Sequence, residues 1–558
     1  MGNRFTRSAK RRNARQRKPG VVSLKTEDVV VPHEVSMATL EAIINKASQG
    51  PLSEADCQLL RSVSHTLHTV TQQLENKSTT ISRLRKLLFG DQTESLKNVE
   101  KDNTPKEPPQ DEPSTTPKKP PDAGHGRNGA DSYTGADKEQ IEHESLKPGD
   151  PCPDCCKGTV YVMGKPSQRV RVTGQAPLHA TVYEFQKLRC GLCGKVFTPQ
   201  AAEDLGPEKY DAQAVAMIAL LKYGMGVPYH RLERLEKILG IPLAASTQWE
   251  TVSKQEVVFM AVNNAFIVLA AQGRVLHNDD TVMRILDRSD LKPPANSKRK
   301  GIFTSGIVSI DGDHQIALFF TGHQHAGENL ADILKHRAQA SETPIQMADG
   351  LSRNIPKDFE TLLANCLAHG RRKFVDIYGD FPSECHHVLN ALAQVYHNDT
   401  QASQDGLSEQ PRLAYHQQHS GPVMTELKTW MQQQLDEHEV EPNSGLGEAI
   451  RYMLKHWEPL TLFLREPGCP LDNNLCERAI KKVILHRKNA YFYKTAHGAQ
   501  VGDMFMSLIH TCELNGINPF DYMTVLQQQA EYVAKNPKDW MPWNYQTTLS
   551  HIEATPQP

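Results

Sequence analysis

The chain has no apolar run approaching the roughly 18 residues that a membrane span needs, so no transmembrane segment is expected. It is poor in cysteine as well: eleven in 558 residues are too sparse for a disulfide scaffold. Net charge is nearly lacking, at −2, but the total hides an asymmetry. Residues 1–20, "MGNRFTRSAKRRNARQRKPG", hold eight Lys or Arg and no acid. This start lacks the apolar core of a secretory signal. Gly2 and Thr6 match the loose myristoylation pattern, and the Arg-rich, acid-poor composition is also that of an organellar presequence. The favoured reading of 1–35 is a disordered basic arm that meets nucleic-acid phosphate. Residues 91–130 have almost no apolar periodicity, and seven prolines fall between Pro105 and Pro121. Such a stretch cannot bury a core, so 91–140 reads as a disordered linker.

What is present points to several domains. Within 36–90, Leu60, Val63, Leu67, Val70, Leu74, Ile81, Leu84 and Leu88 follow an a/d heptad broken only at Lys77. Ser53 and Asp56 are placed to cap its start. A dimerising coiled coil is favoured over a single amphipathic helix lying on a domain. Two CxxC pairs, in "CPDCCKG" and "LRCGLCGKVF", suggest a four-thiolate zinc site in 145–200 made by Cys152, Cys155, Cys190 and Cys193, with Cys156 an alternative to Cys155. The pairs also point to a reducing compartment. Residues 205–265 read as short helices broken at "GVPYHRL" and "LGIPLAAST". A helix-turn-helix with Arg231 and Arg234 facing phosphate, and packed helices without a DNA role, both explain that pattern.

After 270 the pattern turns to strands. "RVLHNDD", "TVMRILD", "GIFTSGIVSI" and "HQIALFFTG" suggest an antiparallel meander, "NLADILKHRAQA" a helix and "PIQMAD" a buried strand ending at Asp349. That is the order of an RNase H-like domain, with Asp279 ending the first strand. A third acid is available in "PLDNNLCERAIKKVILHRK". Asp472, Asn473 and Asn474 are strong N-cap types, and Glu477 lies in the first turn of an amphipathic helix. Taken alone, Glu477 is a capping residue.

The blocks "HNDDT", "QMADG", "CLAHGRRKF" and "LDNNLCERAIKKVILHRKNAYF", with "RLRKLLFGDQTESL", "GHGRNGADSY" and the double CxxC, resemble those of the insertion-sequence 66 transposases, in order from about 80 to 525. The resemblance implies a DDE transposase whose catalytic acids are Asp279, Asp349 and Glu477. The chain departs from the family at Asp280, Leu367, Lys481 and Cys156, where glutamate, tryptophan, arginine and glycine are usual. None of these removes a catalytic acid, and Asp279 rather than Asp280 is chosen by register.

The expected chemistry is in-line displacement at phosphorus with two Mg²⁺ (or Mn²⁺) ions, Asp279 bridging and Asp349 and Glu477 each on one side. Water frees a 3′-hydroxyl, which then attacks target DNA. The 127 residues between Asp349 and Glu477 leave room for an all-helical insertion at 376–465 between two parts of the core, 270–375 and 466–530, with 531–558 a C-terminal tail. Cys366 and His369 have CxxH spacing, and bracing is favoured over zinc. Arg371, Arg372, Lys373, Arg478, Lys482, Arg487 and Lys488 are candidate phosphate contacts, with Lys481 and His486 beside them. His386, His387, His397 and His416 are expected at the surface. The fold class is thus multidomain α+β: coiled coil, zinc ribbon, helical DNA-binding module, and an RNase H-like catalytic domain with its insertion. Expected partners are element ends, target DNA, a second copy of the chain and helper proteins of the same element; no membrane is expected. The expected location is the bacterial cytoplasm, at the nucleoid. An RNase H-like nuclease without strand transfer and a non-catalytic zinc-ribbon regulator are the rival readings.

Overall fold

A computed structural model of the chain describes residues 208–291 and 299–554 continuously, most of 145–162 and 176–189, and a few isolated positions. The expected basic arm, coiled coil and Pro-rich linker lie outside the described residues, as do Cys155, Cys156, Cys190 and Cys193. Met1–Asn98 and Val99–Pro558 separate as two units, and every element below belongs to the second.

A small antiparallel pair, β1 (Leu188–Arg189) and β2 (Val196–Phe197), comes first. Helices follow: α1 (Ala212–Ala219), continued by a π-helical turn Leu220–Gly224, then α2 (Tyr229–Ile238), α3 (Ala245–Ser253) and α4 (Glu256–Ala270). The central sheet contains β3 (Val275–Val282), β4 (Phe303–Asp311), β5 (His314–Gly322), β6 (Ile345–Ala348) and β7 (Leu362–Asn365), with α5 (Ala326–Leu334) between β5 and β6. Its order is β5-β4-β3-β6-β7. The first three strands are antiparallel, and β6 and β7 run parallel to β3.

The sequence pattern is corrected in two places here. "TVMRILD" is not a second strand: Thr281 and Val282 continue β3, and Ile285 makes only an isolated bridge with Tyr493. Asp279 therefore lies inside β3 rather than at its end. β7 was not anticipated, because its four residues carry too little periodicity to stand out.

Beyond β7 the chain is helical: α6 (Leu367–Asp376), α7 (Pro382–Gln404), α8 (Glu409–His419), α9 (Gly421–Asp436), α10 (Gly445–Lys455) and the short α11 (Trp457–Leu460). It returns to the sheet as α12 (Asn474–Ala490), followed by α13 (Ala496–Leu514), α14 (Pro519–Gln528), α15 (Ala530–Lys535) and α16 (Tyr545–Ala554). The segment expected as a tail is packed structure, with Trp540, Met541 and Tyr545 buried in the main core. Burying two large aromatics there outweighs the weak local pattern.

The two faces of the sheet are covered by different helices. Gly306 of β4 faces α12 so closely that a Cβ there would sit 2.9 Å from Ile480 Cδ1. Ser305 and Ser309 point the other way, to Asn329 of α5 at 2.8 Å and to the Ala270 carbonyl of α4 at 2.8 Å. Among the described residues outer strand β5 has no strand beyond it, and α13 takes that place. Asn515, Thr511 and Ser507 accept from the backbone N–H groups of Gln315, Ala317 and Phe319 at 3.2, 3.1 and 3.0 Å, and Asp503 accepts from Thr321 N–H at 2.5 Å. Four helical residues rise ~6 Å and two strand residues ~6.8 Å, so polar side chains at every fourth helix position meet every second strand residue. The exposed-edge problem of a terminal strand is thereby removed.

Candidate active site

Register brings the two aspartates together. β3 and β6 pair in parallel, with Val275 opposite Ile345 and His277 opposite Met347. Two residues beyond the His277–Met347 pair, Asp279 in β3 and Asp349 just after β6 come close enough for the Asp349 charge to act on Asp279. Gly350 follows with φ +80°, a left-handed turn that favours glycine. It turns the chain so that Asp349 Oδ1 accepts from Leu351 N–H at 3.0 Å and from Asn354 Nδ2 at 2.8 Å. Asn354 is itself buried, and its carbonyl accepts from Asn278 and Gln346, each at 2.7 Å.

Adjacent strand residues face opposite sides, and this separates the acidic pair. Asp279 is paired with Gly306 and so looks toward α12. Asp280 looks toward α5, where His325 Nδ1 lies 2.7 Å from its Oδ2 and an Arg353 guanidinium nitrogen 3.3 Å from its Oδ1. The close packing that delivers Arg353 needs a glycine on α5: a Cβ on Gly327 would sit 2.6 Å from the Ile355 carbonyl. Asp280 is therefore ion-paired behind the strand, whereas the charges that act most on Asp279 are those of other acids. Its ordinary value of 3.8 is pushed up to about 7, first by burial and then by the charges of Asp349, Asp280 and Glu477, against a lowering hydrogen bond from Asp280 N–H.

Glu477 arrives on α12, whose start is fastened to the same strand. Asn473 is the N-cap, but its side chain does not cap the helix. Instead its Nδ2 donates to the Asn278 carbonyl at 3.2 Å, and its Oδ1 lies 3.0 Å from His277 Nδ1. Burial holds His277 down at about 4, so it is neutral and its Nδ1–H donates to Asn473. Cys476 Sγ donates to the Gly306 carbonyl at 3.3 Å, opposite Asp279. Three carboxylates from three separate segments thus converge on one face of the sheet.

The other expected site residues divide. Arg371, Arg372 and Lys373 lie on α6, with the Lys373 ammonium 4.5 Å from the Tyr452 ring centre. Arg478 and Lys488 are exposed on α12. Lys482 is paired with Glu513 at 2.5 Å, and Arg487 is bonded to Thr281 Oγ1 at 3.0 Å and to the Val282 carbonyl. His486 is not a surface group: it is buried, 3.0 Å from the buried Lys222 ammonium. His416 is also buried, between Asp399 and Ser420 at 3.0 Å each, contrary to expectation; His386, His387 and His397 are exposed. Arg231 and Arg234 are exposed on α2. Cys152 lies in a turn closed by its N–H to the Gly158 carbonyl at 2.8 Å. Cys366 and His369 sit at the start of α6, beside Glu477: His369 Nδ1 is 3.6 Å from Glu477 Oε1.

Sequence reasoning missed His325, Arg353, His277 and Asn354. They lie far from their partners in the chain and match no motif spacing; only the Asn278/Asp280 alternation hinted that a polar face exists behind the strand.

The class is that of the transposases: residues 208–501, just over half of the chain, match the family model described as the IS66 transposase family. The chain belongs to that family. Similar curated proteins include two of Sinorhizobium fredii (strain NBRC 101917 / NGR234), both named uncharacterized. The protein y4jD is 25% identical over 420 residues, 70% of this chain and 77% of its own. The protein y4hP is 26% identical over 434 residues, 73% and 76% respectively. No solved structure matches. Among the described residues no single helix is long and apolar enough to cross a membrane.

Proposed function

We propose that this transposase is of the DDE type, with an RNase H-like core, and that Asp279, Asp349 and Glu477 are its catalytic acids. The observation that carries the reading is their convergence, with Asp279 held up at about 7 by burial and by the other two charges. A half-buried set of acids that repel one another fits a hard divalent cation, Mg²⁺ or Mn²⁺, two per site, which takes carboxylate oxygen readily. Such ions, when bound, stabilise the charge that develops on the attacking and leaving oxygens. The strand order, three antiparallel then two parallel with helices on both faces, supports the RNase H-like assignment.

On this reading water attacks the scissile phosphorus at the element end, the P–O3′ bond breaks, and a free 3′-hydroxyl remains. That hydroxyl attacks a phosphorus of target DNA; a new P–O bond forms as the target's own 3′-oxygen leaves with a proton from solvent. The chain's part is to orient: Asn354 fixes Asp349, and Asn473 and His277 fix the start of α12 and hence Glu477. Arg371, Arg372, Lys373, Arg478 and Lys488 hold phosphates around the site. Lys482 and Arg487 reach DNA only by leaving their present partners.

The same reading extends to the rest of the chain. Cys152, Cys155, Cys190 and Cys193 bind one structural zinc, in keeping with the knuckle-like turn at Cys152. The helices α2 and α3 contact DNA, the protein works at the nucleoid as a dimer or higher assembly, and proteins of the same element assist it. The test is Glu477→Gln with labelled element ends in Mg²⁺. Loss of cleavage with DNA binding retained supports the assignment, and equal loss of both overturns it.

A further inference from the structure

Glu477 faces a second donor set besides the two aspartates. Cys366 follows β7 and is the N-cap of α6. Its N–H donates to the Ala348 carbonyl at 2.9 Å, next to Asp349, and Leu367 N–H donates to the Leu471 carbonyl at 3.0 Å, just before α12. These bonds hold the start of α6 against the start of α12. Cys366 Sγ, a ring nitrogen of His369 and a Glu477 carboxylate oxygen all lie within 4.8 Å of one another. His369 Nδ1, 3.6 Å from Glu477 Oε1, is buried and makes no hydrogen bond. Tetrahedral zinc, with bonds of ~2.0–2.3 Å, separates neighbouring ligands by roughly 3.3–3.8 Å, and the His369–Glu477 distance already falls in that range.

The donor chemistry differs from that of the aspartates. Sulfur, imidazole nitrogen and one carboxylate oxygen suit a borderline-soft cation with a fourth position open, and Mg²⁺ does not take thiolate. Burial pushes the Cys366 thiol up to about 12, and the Asn473 N–H that points at its Sγ from 3.2 Å pulls the other way; a cation takes the sulfur by displacing its proton. Cys366 is buried, but His369 and Glu477 are partly exposed, which leaves a way in from solvent.

We propose that Cys366, His369 and Glu477 form a binding site for a thiophilic divalent cation such as Zn²⁺, and that its occupation withdraws Glu477 from the acid triad and arrests the transposase. The binding half stands on the geometry alone; the arrest rests on the reading of Glu477 as a catalytic acid.

The full-length protein, Cys366→Ala and His369→Ala are each loaded with Zn²⁺, dialysed and assayed for bound metal, and each is titrated with Co²⁺ while thiolate-to-cobalt absorption is followed. The wild type should retain one more equivalent than either variant, and the cobalt charge-transfer band should shrink by a matching share in Cys366→Ala. Both readouts are independent of activity and of the CxxC pairs, which all three proteins share. Mg²⁺-dependent cleavage, normalised to each protein's own rate in Mg²⁺ without zinc, should be inhibited in the wild type at Zn²⁺ concentrations roughly tenfold or more below those needed in Cys366→Ala, since even an indirect partner of a metal ligand typically contributes that much affinity. Equal metal content in all three proteins overturns the site. An extra equivalent with equal zinc sensitivity overturns the arrest. Full cleavage by Glu477→Gln would instead overturn the catalytic reading, leaving the metal count to decide the site.

Discussion

Replacing Asp279 with Asn should make the metal-free protein more stable, an unusual outcome for a change inside a core strand. The folded state raises this carboxyl from 3.8 to about 7. Where a folded acid holds its proton more tightly than the unfolded one, stability falls as pH rises between the two values. Below about 4 both states are protonated and no penalty exists; above about 7 the penalty is complete. At ~1.4 kcal/mol per pH unit it is on the order of 4 kcal/mol, a ceiling because three acids share the repulsion. Asparagine removes the charge and keeps an oxygen to accept from Asp280 N–H, the 2.7 Å bond of the native strand. The assay is thermal unfolding in EDTA at about pH 5 and about pH 8, with a gain for the variant of a few degrees expected at the higher pH and much less at the lower. Mg²⁺ should raise the midpoint of the wild type at about pH 8 and do little for the variant. A variant no more stable than the wild type, or a gap that ignores pH, would refute the reasoning.

Asp280 should behave in the opposite way: Asp280→Asn strands His325 and Arg353 behind the strand and should cost on the order of 3 kcal/mol, read from urea unfolding at neutral pH. Thr511→Ala removes bonds to both the N–H and the carbonyl of Ala317 on β5 and should cost about 1–3 kcal/mol; hydrogen exchange should then quicken first at Ala317. Lys222 is buried against His486 and two tyrosines, and burial lowers it from 10.5 to about 8. A base held down when folded weakens the protein below about 8, and that penalty fades as pH climbs toward 10.5. Lys222→Met should therefore be the more stable protein at neutral pH, with the advantage shrinking in alkali; calorimetry across that range checks it. Asn473→Ala frees the start of α12 from His277 and Asn278, and cleavage should drop by roughly a hundredfold from misplacement of Glu477, while the affinity for element DNA changes little in a gel-shift titration.

Much of the candidate site was legible because it depends on local signals. The apolar run into Asp279, the short strand into Asp349 and the Asn-rich start of α12 each place an acid without knowledge of the fold. Parallel pairing at the offset His277–Met347 then does the rest. What stayed hidden depends on tertiary pairing. β7 has only four residues, and it is recognisable by its ladder with β6 rather than by composition. "TVMRILD" alternates well enough to pass for a strand of its own, yet Thr281 and Val282 simply extend β3. Asn473 has N-cap chemistry, but the buried His277 and the Asn278 carbonyl compete for its side chain and win. The polar positions Asp503, Ser507, Thr511 and Asn515 of α13 have a regular fourfold spacing that gives no sign of serving a strand edge. His416 looked like one more histidine in a polar helix; Ser420 caps that same helix, but its other partner, Asp399, comes from α7. The resemblance between family blocks and this chain pointed to the three acids proposed as catalytic, and it carried no information on what pairs with Asp280.

The central claim is that these three acids cut and join DNA. The most direct measurement incubates the purified protein with Mg²⁺, labelled DNA carrying the ends that flank its own gene, and a plasmid target, with Glu477→Gln alongside. The account predicts joined products in the wild type and none in the variant, with end binding retained. Cleavage without joining would contradict it in favour of a nuclease, and binding without cleavage in either Mg²⁺ or Mn²⁺ would contradict it in favour of a regulator.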